Sequence, residues 1–162
     1  MPQNPQVKGG VVAYLSVEGA LKAADFYQKA FGAEIAVAYP PDDKGRTMHV
    51  HLYINGSSVM LSDPYPEHGH PYVPAAGFNL TLPVDDIESW WKRAMDAGCT
   101  AIMPPADMFW GDRCSGVADP YGYLWSFATH QKDMTREEME RAGREFAKQQ
   151  AQQHGQQPGA GH

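Results

Sequence analysis

From Val11 to Val17 the chain alternates between two sides, with Val11, Ala13, Leu15 and Val17 on one and Val12, Tyr14 and Ser16 on the other. A period of two is the signature of a strand whose successive side chains point to opposite faces. The period then lengthens: Leu21, Ala24, Phe26, Tyr27 and Phe31 fall at helical spacing, and Gly32 supplies the left-handed residue that ends a helix. A strand follows through "EIAVAY". Two more, "RTMHVHLYIN" and "SSVMLSD", are joined by Asn55-Gly56, a dipeptide suited to a tight hairpin because both residues tolerate positive φ. The first half therefore reads β-α-β-β-β.

A segment dense in Pro and Gly, "PYPEHGHPYVPAAG", carries no periodicity and reads as a linker. After it the order repeats. A strand from Phe78 precedes a helix that starts near Asp85 or Asp86 and stops at Gly98; another strand follows, and two last strands flank the turn Asp119-Pro120-Tyr121-Gly122. Val17 and Val84 end the first strand of each half, about 67 residues apart, which is an internal repeat. Beyond it, Thr135 and Glu138 are spaced as a capping box and open a helix over 135–148, with Met139 and Phe146 available to dock it or to meet a second copy. From Gln149 onward the chain is rich in Gln and Gly without apolar anchors, and disorder is expected over 149–162. The predicted architecture is α+β: one domain over 8–134, with modules about 8–64 and 77–131, then the helix and the tail.

Bulk composition narrows the functional classes. The 162 residues, 43% of them hydrophobic, suffice for one core shared by two small halves. A formal charge of -6, with 13 Lys and Arg scattered along the chain, gives no basic stripe for a phosphate backbone, so nucleic acid is not an expected partner. Cys99 and Cys114 form no C-x-x-C pair and no disulfide framework. With no signal segment and no apolar run of membrane-spanning length, neither a membrane nor the exterior is expected; the expected location is cytoplasmic.

"YLSVEGALKAADFYQKAFGAE" and "FWGDRCSGVADPYGYLWSFATH" together resemble the vicinal oxygen chelate superfamily, which includes glyoxalase I, extradiol dioxygenases and bleomycin-resistance proteins, and within it a glyoxalase-like branch called PhnB. The resemblance covers about Val11 to Met134. It implies paired βαβββ modules whose curled mixed sheets surround a cavity, usually in a homodimer. It does not imply one reaction, because the fold hosts isomerases, lyases, dioxygenases and pure binding proteins.

Strand parity identifies a candidate ligand face independently. In the histidine strand Val50, Leu52 and Ile54 oppose His49, His51 and Tyr53; in the later strands Phe78, Leu80 and Leu82 oppose Asn79 and Thr81, and Tyr123, Trp125 and Phe127 oppose Ser126 and His130. The mixed sides thus collect Tyr14, Ser16, His49, His51, Tyr53, Asn79, Thr81, Ser126 and His130, donors and acceptors on a partly apolar floor, as an organic ligand requires. A sheet face that simply meets water gives the same alternation. Trp110 and Arg113, beside Asp112, offer an aromatic plane and a guanidinium for a planar or anionic ligand, although Arg113 equally suits an ion pair that holds its loop.

The resemblance also implies where relatives bind metal: one ligand, typically His, Gln or Glu, from the first and fourth strand of each half. Matched through Val17, Val84 and the D-P-x-G turn, those positions are Val12, Leu61, Asn79 and Ser126, and shifting by one residue brings in no better donor. No metal and no cofactor is expected there. A displaced site built on His49 and His51 with His130 is the alternative, as is metal-free acid–base chemistry at His51 and Tyr14. The expectation is a metal-independent protein that binds a small organic molecule, of sequestering or resistance type; the second reading is a lyase or dioxygenase, and a third is a structural or regulatory dimer with no ligand-sized cavity. No residue is assigned as catalytic.

Overall fold

The computed structural model describes residues 4–155. In chain order the first half comprises β1 (Ala13–Ser16), α1 (Ala20–Phe31), β2 (Glu34–Ala38), β3 (Val50–Ile54) and β4 (Ser57–Ser62). The second comprises β5 (Leu80–Pro83), α2 (Ile87–Ala97), β6 (Thr100–Asp107), β7 (Asp112–Ala118) and β8 (Leu124–His130), followed by α3 (Arg136–His154). Each half forms its own four-stranded mixed sheet, ordered β1-β4-β3-β2 and β5-β8-β7-β6, in which the first strand runs parallel to the last and the other pairs are antiparallel. Neither sheet closes on itself, and the architecture is α+β with a C-terminal helix.

Local chemistry accounts for the boundaries. Gly32 and Gly98 end α1 and α2 in the left-handed conformation, φ 62° and 112°. The Asp86 side chain accepts from the Ser89 amide and starts α2, and Thr135 and Glu138 form the reciprocal capping box that starts α3. Asn55 and Gly56 both take positive φ, 49° and 81°, in the β3–β4 hairpin. The edge strands are shorter than the alternation predicts. β1 begins at Ala13, leaving Val11 95% exposed, and β5 begins at Leu80, leaving Phe78 half exposed.

The C-terminal expectation needs correction. α3 continues through His154, six residues past its predicted end, while 156–162 lie outside the described residues. The polar composition rules out a buried face, and α3 has none, yet Ala, Lys and Gln are good helix formers and carry the helix on. Its contact with the body is narrow: Phe146 lies 5.3 Å from Phe109, which also fits against Gly143.

The apolar faces of both sheets share one core with α1 and α2. Leu15, Leu52 and Leu61 from the first sheet and Trp125, Val117 and Phe127 from the second are all essentially buried. Helix α1 joins the halves, for its Phe31 packs 4.5 Å from Trp125. Asp119 is the polar counterpart of that packing. One carboxylate oxygen accepts from the amides of Tyr121 and Tyr123, shaping the turn as expected; the other accepts from Tyr27 Oη of α1 at 2.5 Å and Trp125 Nε1 at 2.9 Å. Burial and the neighbouring Asp119 carboxylate raise the Tyr27 pKa far above its ordinary value, so the phenol remains a donor. Burial likewise pushes the Cys99 thiol up to about 12, too high for a nucleophile at neutral pH. Among the described residues no helix is long and apolar enough to cross a membrane.

Candidate functional site

Because the apolar face of each sheet looks into the core, the mixed face of each is turned away from it. On the first sheet, pairing sets Tyr14, Met60, His51 and Val37 in one row, and Tyr53 beside Ser58 in another. The rings form a continuous line: Tyr14 to His49 is 5.9 Å between centroids, His49 to His51 6.4 Å, and His51 to Tyr53 5.0 Å. Four of the residues selected by parity therefore meet on one surface.

At the Tyr14 end of this line lies a cavity of about 680 Å³. Tyr14, Ser16 and Ser62 form its floor; Met48, Tyr65, His68, His70 and Val73 wall it. The linker supplies most of that wall because it is folded. Tyr65 and His70 pair through their backbones around a 3-10 turn at Pro66–His68, and the Arg46 guanidinium lies 4.3 Å over the Tyr65 ring while binding Asp42 and Glu67. The Arg46 hydrogen bond holds the Glu67 carboxyl at about 2, so the pair stays ionised near neutrality. Asp63 also borders the cavity, but its carboxylate accepts from the amides of Gly19 at 2.7 Å and Thr47 at 2.8 Å, tying the start of α1 to the β3 approach. It is thus a strut of the wall. The Tyr65 hydroxyl, by contrast, is buried without a hydrogen-bond partner among the described residues.

Tyr14 Oη lies 3.1 Å from His49 Nδ1 and donates to the Met48 carbonyl at 3.3 Å. His49, rather than the expected His51, is therefore the imidazole that meets Tyr14. His51 is 1% exposed and its Nε2 lies 2.8 Å from Ser58 Oγ. Burial foremost, then His49 and Lys8, lowers the His51 pKa and favours its neutral form. The Tyr53 end of the line is occupied by the chain itself: Tyr53 Oη donates to the Gln6 carbonyl at 2.7 Å, and Lys8 Nζ sits 4.0 Å over its ring.

The remaining expected site residues lie elsewhere. Thr81 and Ser126 share the outer face of the second sheet, where Asn79, just before β5, donates to Ser126 Oγ at 3.2 Å; none of the three lines the cavity. Arg113 bonds Glu88 at 2.9 Å and Asp107 at 3.0 Å, the loop-holding role, and Trp110 Nε1 donates to Asp112. His130 binds Asp112 and Asp133, each at 2.8 Å, and the first of these bonds most raises its pKa. It stands in the second half, so His49, His51 and His130 do not converge.

The metal positions implied by the resemblance fail a geometric test. Leu61 is fully buried in the core, so its assignment to the ligand face was one residue out of phase; Met60 is the outward residue of that strand, paired with Tyr14 and His51. With Val12, Asn79 and Ser126 it makes a set lacking any carboxylate or imidazole, which does not fit a divalent ion. Among the described residues no three His, Cys, Asp or Glu side chains gather as a metal site.

Of the residues lining this cavity, parity had selected Tyr14 and Ser16 but not Ser62 or the wall. Tyr65, His68, His70 and Val73 sit in a segment without periodicity, where only the density of aromatic and imidazole residues in "PYPEHGHPYV" hinted at them; Met48 sits at the start of the histidine strand's segment, before β3 begins.

The comparisons bear on the fold and lineage. The family model described as "Glyoxalase/Bleomycin resistance protein/Dioxygenase superfamily" matches residues 11–127. An uncharacterized protein of Mycobacterium tuberculosis is 35% identical over 142 residues, spanning 84% of this chain and 83% of that one. Among solved structures, TioX from Micromonospora sp. ML1 is similar at 28% identity and TM-score 0.61, covering 75% of this chain and 98% of TioX. A PhnB protein from Bacillus cereus is similar in fold at 22% identity and TM-score 0.57, covering 75% and 99%.

Proposed function

Since the chain belongs to the Glyoxalase/Bleomycin resistance protein/Dioxygenase superfamily, whose fold serves binding proteins and enzymes alike, we propose that it is a metal-independent binder of a small organic molecule, of the sequestering kind found among resistance proteins. The observation that carries this reading is the cavity of about 680 Å³ at Tyr14, within the size range of ligand sites. Its wall is aromatic, thioether and imidazole, suited to a flat, largely apolar guest. The outward set Val12, Met60, Asn79 and Ser126 supports metal independence. Two free thiols, Cys99 and Cys114, fit a cytoplasmic setting.

The reading includes a homodimer. The outer face of the second sheet exposes Leu124 and Ile102, apolar surface of the kind a second copy covers. Sedimentation over a concentration series tests this: Leu124→Glu is expected to shift the chain to monomer, and a wild-type monomer at every concentration would remove the dimer.

Calorimetric titration of the untagged chain with a panel of planar aromatic compounds tests the main reading. Saturable one-site binding is expected, lost on Ser62→Trp. Turnover of the bound compound would replace it with an enzyme, for which the Tyr14–His49 pair is the acid–base candidate. Elemental analysis after chelator-free purification is expected to show well under one metal per chain; a stoichiometric divalent ion would defeat metal independence.

A further inference from the structure

The line of rings on the first sheet has two ends, and only one opens to the cavity. At the other, Gln6 to Lys8 lies against Tyr53 and Ser58 by contacts that a separate peptide would make. The Lys8 amide donates to Ser58 Oγ at 2.8 Å, and the Ser58 amide donates to the Lys8 carbonyl at 2.8 Å. Tyr53 Oη donates to the Gln6 carbonyl, and the Lys8 ammonium stands over the Tyr53 ring. Ser58 Oγ in turn meets His51 Nε2, so the segment is wired to the buried imidazole. Gly9, at φ 109°, turns the chain between this segment and β1.

We propose that Tyr53, Ser58 and His51 form a second binding subsite, specific for an extended peptide that carries an ammonium side chain, and that in this chain residues Gln6–Lys8 fill it as a built-in occupant. The subsite reads three features together. A main-chain carbonyl takes the Tyr53 hydroxyl, a main-chain amide takes Ser58 Oγ, and a cation takes the Tyr53 face. Specificity comes from the pairing of backbone and cation, because either alone is satisfied equally by water. The intramolecular copy is present at an effective concentration of order millimolar, so a free peptide competes poorly until the segment is released. Release joins the subsite to the cavity through His51 and His49, which makes the segment a gate on the longer ligand groove. The groups facing His51 are His49 and Tyr53 on its own strand, Ser58 and Met60 on β4, Val37 on β2 and Lys8 on the segment.

This inference rests on the first sheet's outer face being the binding face, but it is tested separately from the cavity. The full-length variant Lys8→Pro removes the amide donor and the ammonium without touching the core. The probe is the acetylated, amidated peptide of residues 4–10, NPQVKGG, titrated by calorimetry. Saturable binding to Lys8→Pro is expected, at least about tenfold tighter than to wild type, and replacing the peptide's Lys by norleucine is expected to weaken it about threefold. Modification of His51 by diethyl pyrocarbonate, read by mass spectrometry, is expected to rise in the variant. No peptide binding to a folded Lys8→Pro chain, equal binding to both chains, or unchanged His51 protection would each overturn the proposal. Should Lys8→Pro fail to fold, Tyr53→Phe serves: faster amide exchange at Lys8 is expected, and unchanged exchange overturns the subsite. Aromatic-probe binding at Tyr14 is measured in the same samples, so a failure of the cavity is distinguishable from a failure of the subsite.

Discussion

The outer faces of the two sheets are built on one plan and finished differently. Both have a short parallel first strand beside the last and an antiparallel ladder beyond. On the first, the outward row holds Tyr14, His49, His51 and Tyr53, roofed at one end by the linker and at the other by Gln6–Lys8. On the second, the corresponding ladder carries Cys114, Gly116, Ala118, Ser126 and Ala128, with Asp112 and His130 at its far end and Leu124 44% exposed. The repeated module therefore repeats the skeleton without repeating the outward row of rings. The core-facing residues are constrained by packing from both halves, whereas an outward row is free to become large and polar in one copy and small in the other. The pKa values of the two histidines at these faces even shift in opposite directions, that of His51 lowered first by burial and that of His130 raised by its bonds to two carboxylates.

The sharpest way to break the comparison is at the shared skeleton. Asp119→Ala strands Tyr27 Oη, Trp125 Nε1 and two turn amides; at ~1–3 kcal/mol for each buried group left unpaired, a loss of at least ~3 kcal/mol is expected. A thermal melt reads it as a single transition lowered by roughly 10 °C, and two separate transitions would show that the halves are independent. Next come the faces themselves. Ser62→Trp is expected to weaken aromatic-probe binding by about a hundredfold or more, while Ala128→Trp, at the equivalent place on the other sheet, changes it less than about twofold; the reverse result would move the site to the second face.

Protonation separates the faces with smaller effects of opposite sign. His51 has a lowered pKa in the folded chain, so on acidification the unfolded chain takes up its proton first; its contribution is present above about pH 6.5 and lost below it. His130 has a raised pKa, so its contribution is full below about pH 6.5 and lost as the pH rises through the folded value. Melting temperatures from pH 5 to 8 are expected to show the acid-side decline flattened in His51→Asn and the alkaline-side decline flattened in His130→Gln. Identical profiles in both variants would remove the distinction. The smallest effect is expected from Phe146→Ala, about 1 kcal/mol or less from lost contact with Phe109; hydrogen exchange should show α3 loosened, with both faces unchanged.

The skeleton was legible because it rests on short-range signals. Period-two strands, Gly32 and Gly98, Asn55-Gly56, Asp86 and the Thr135–Glu138 box each act within a few residues; the caps and the hairpin stand where the pattern put them, and the strands do so apart from the trimmed starts of β1 and β5. The outward row was legible from parity for Tyr14, His49, His51 and Tyr53. Its coverage was not, because what lies on His51 and Tyr53 comes from residues 6–8, which have no apolar period of their own. The cavity wall depends on an Arg46–Glu67 contact 21 residues apart in the chain, and the role of Asp119 beyond its turn on a bond to Tyr27 92 residues away. Leu61 shows the complementary limit: a motif aligned one residue out of phase moves a side chain from a ligand face into the core.

The bond from Tyr27 to Asp119, 92 residues apart, has a consequence for the chain as it leaves the ribosome. Helix α1 emerges early, yet the surfaces that cover Tyr27 and Phe31 belong to residues 119–127. Until those residues are translated, Tyr27 has no Asp119 to bond and Phe31 lacks the Trp125 and Phe127 rings, so maturation of the first module is expected to wait on completion of the second.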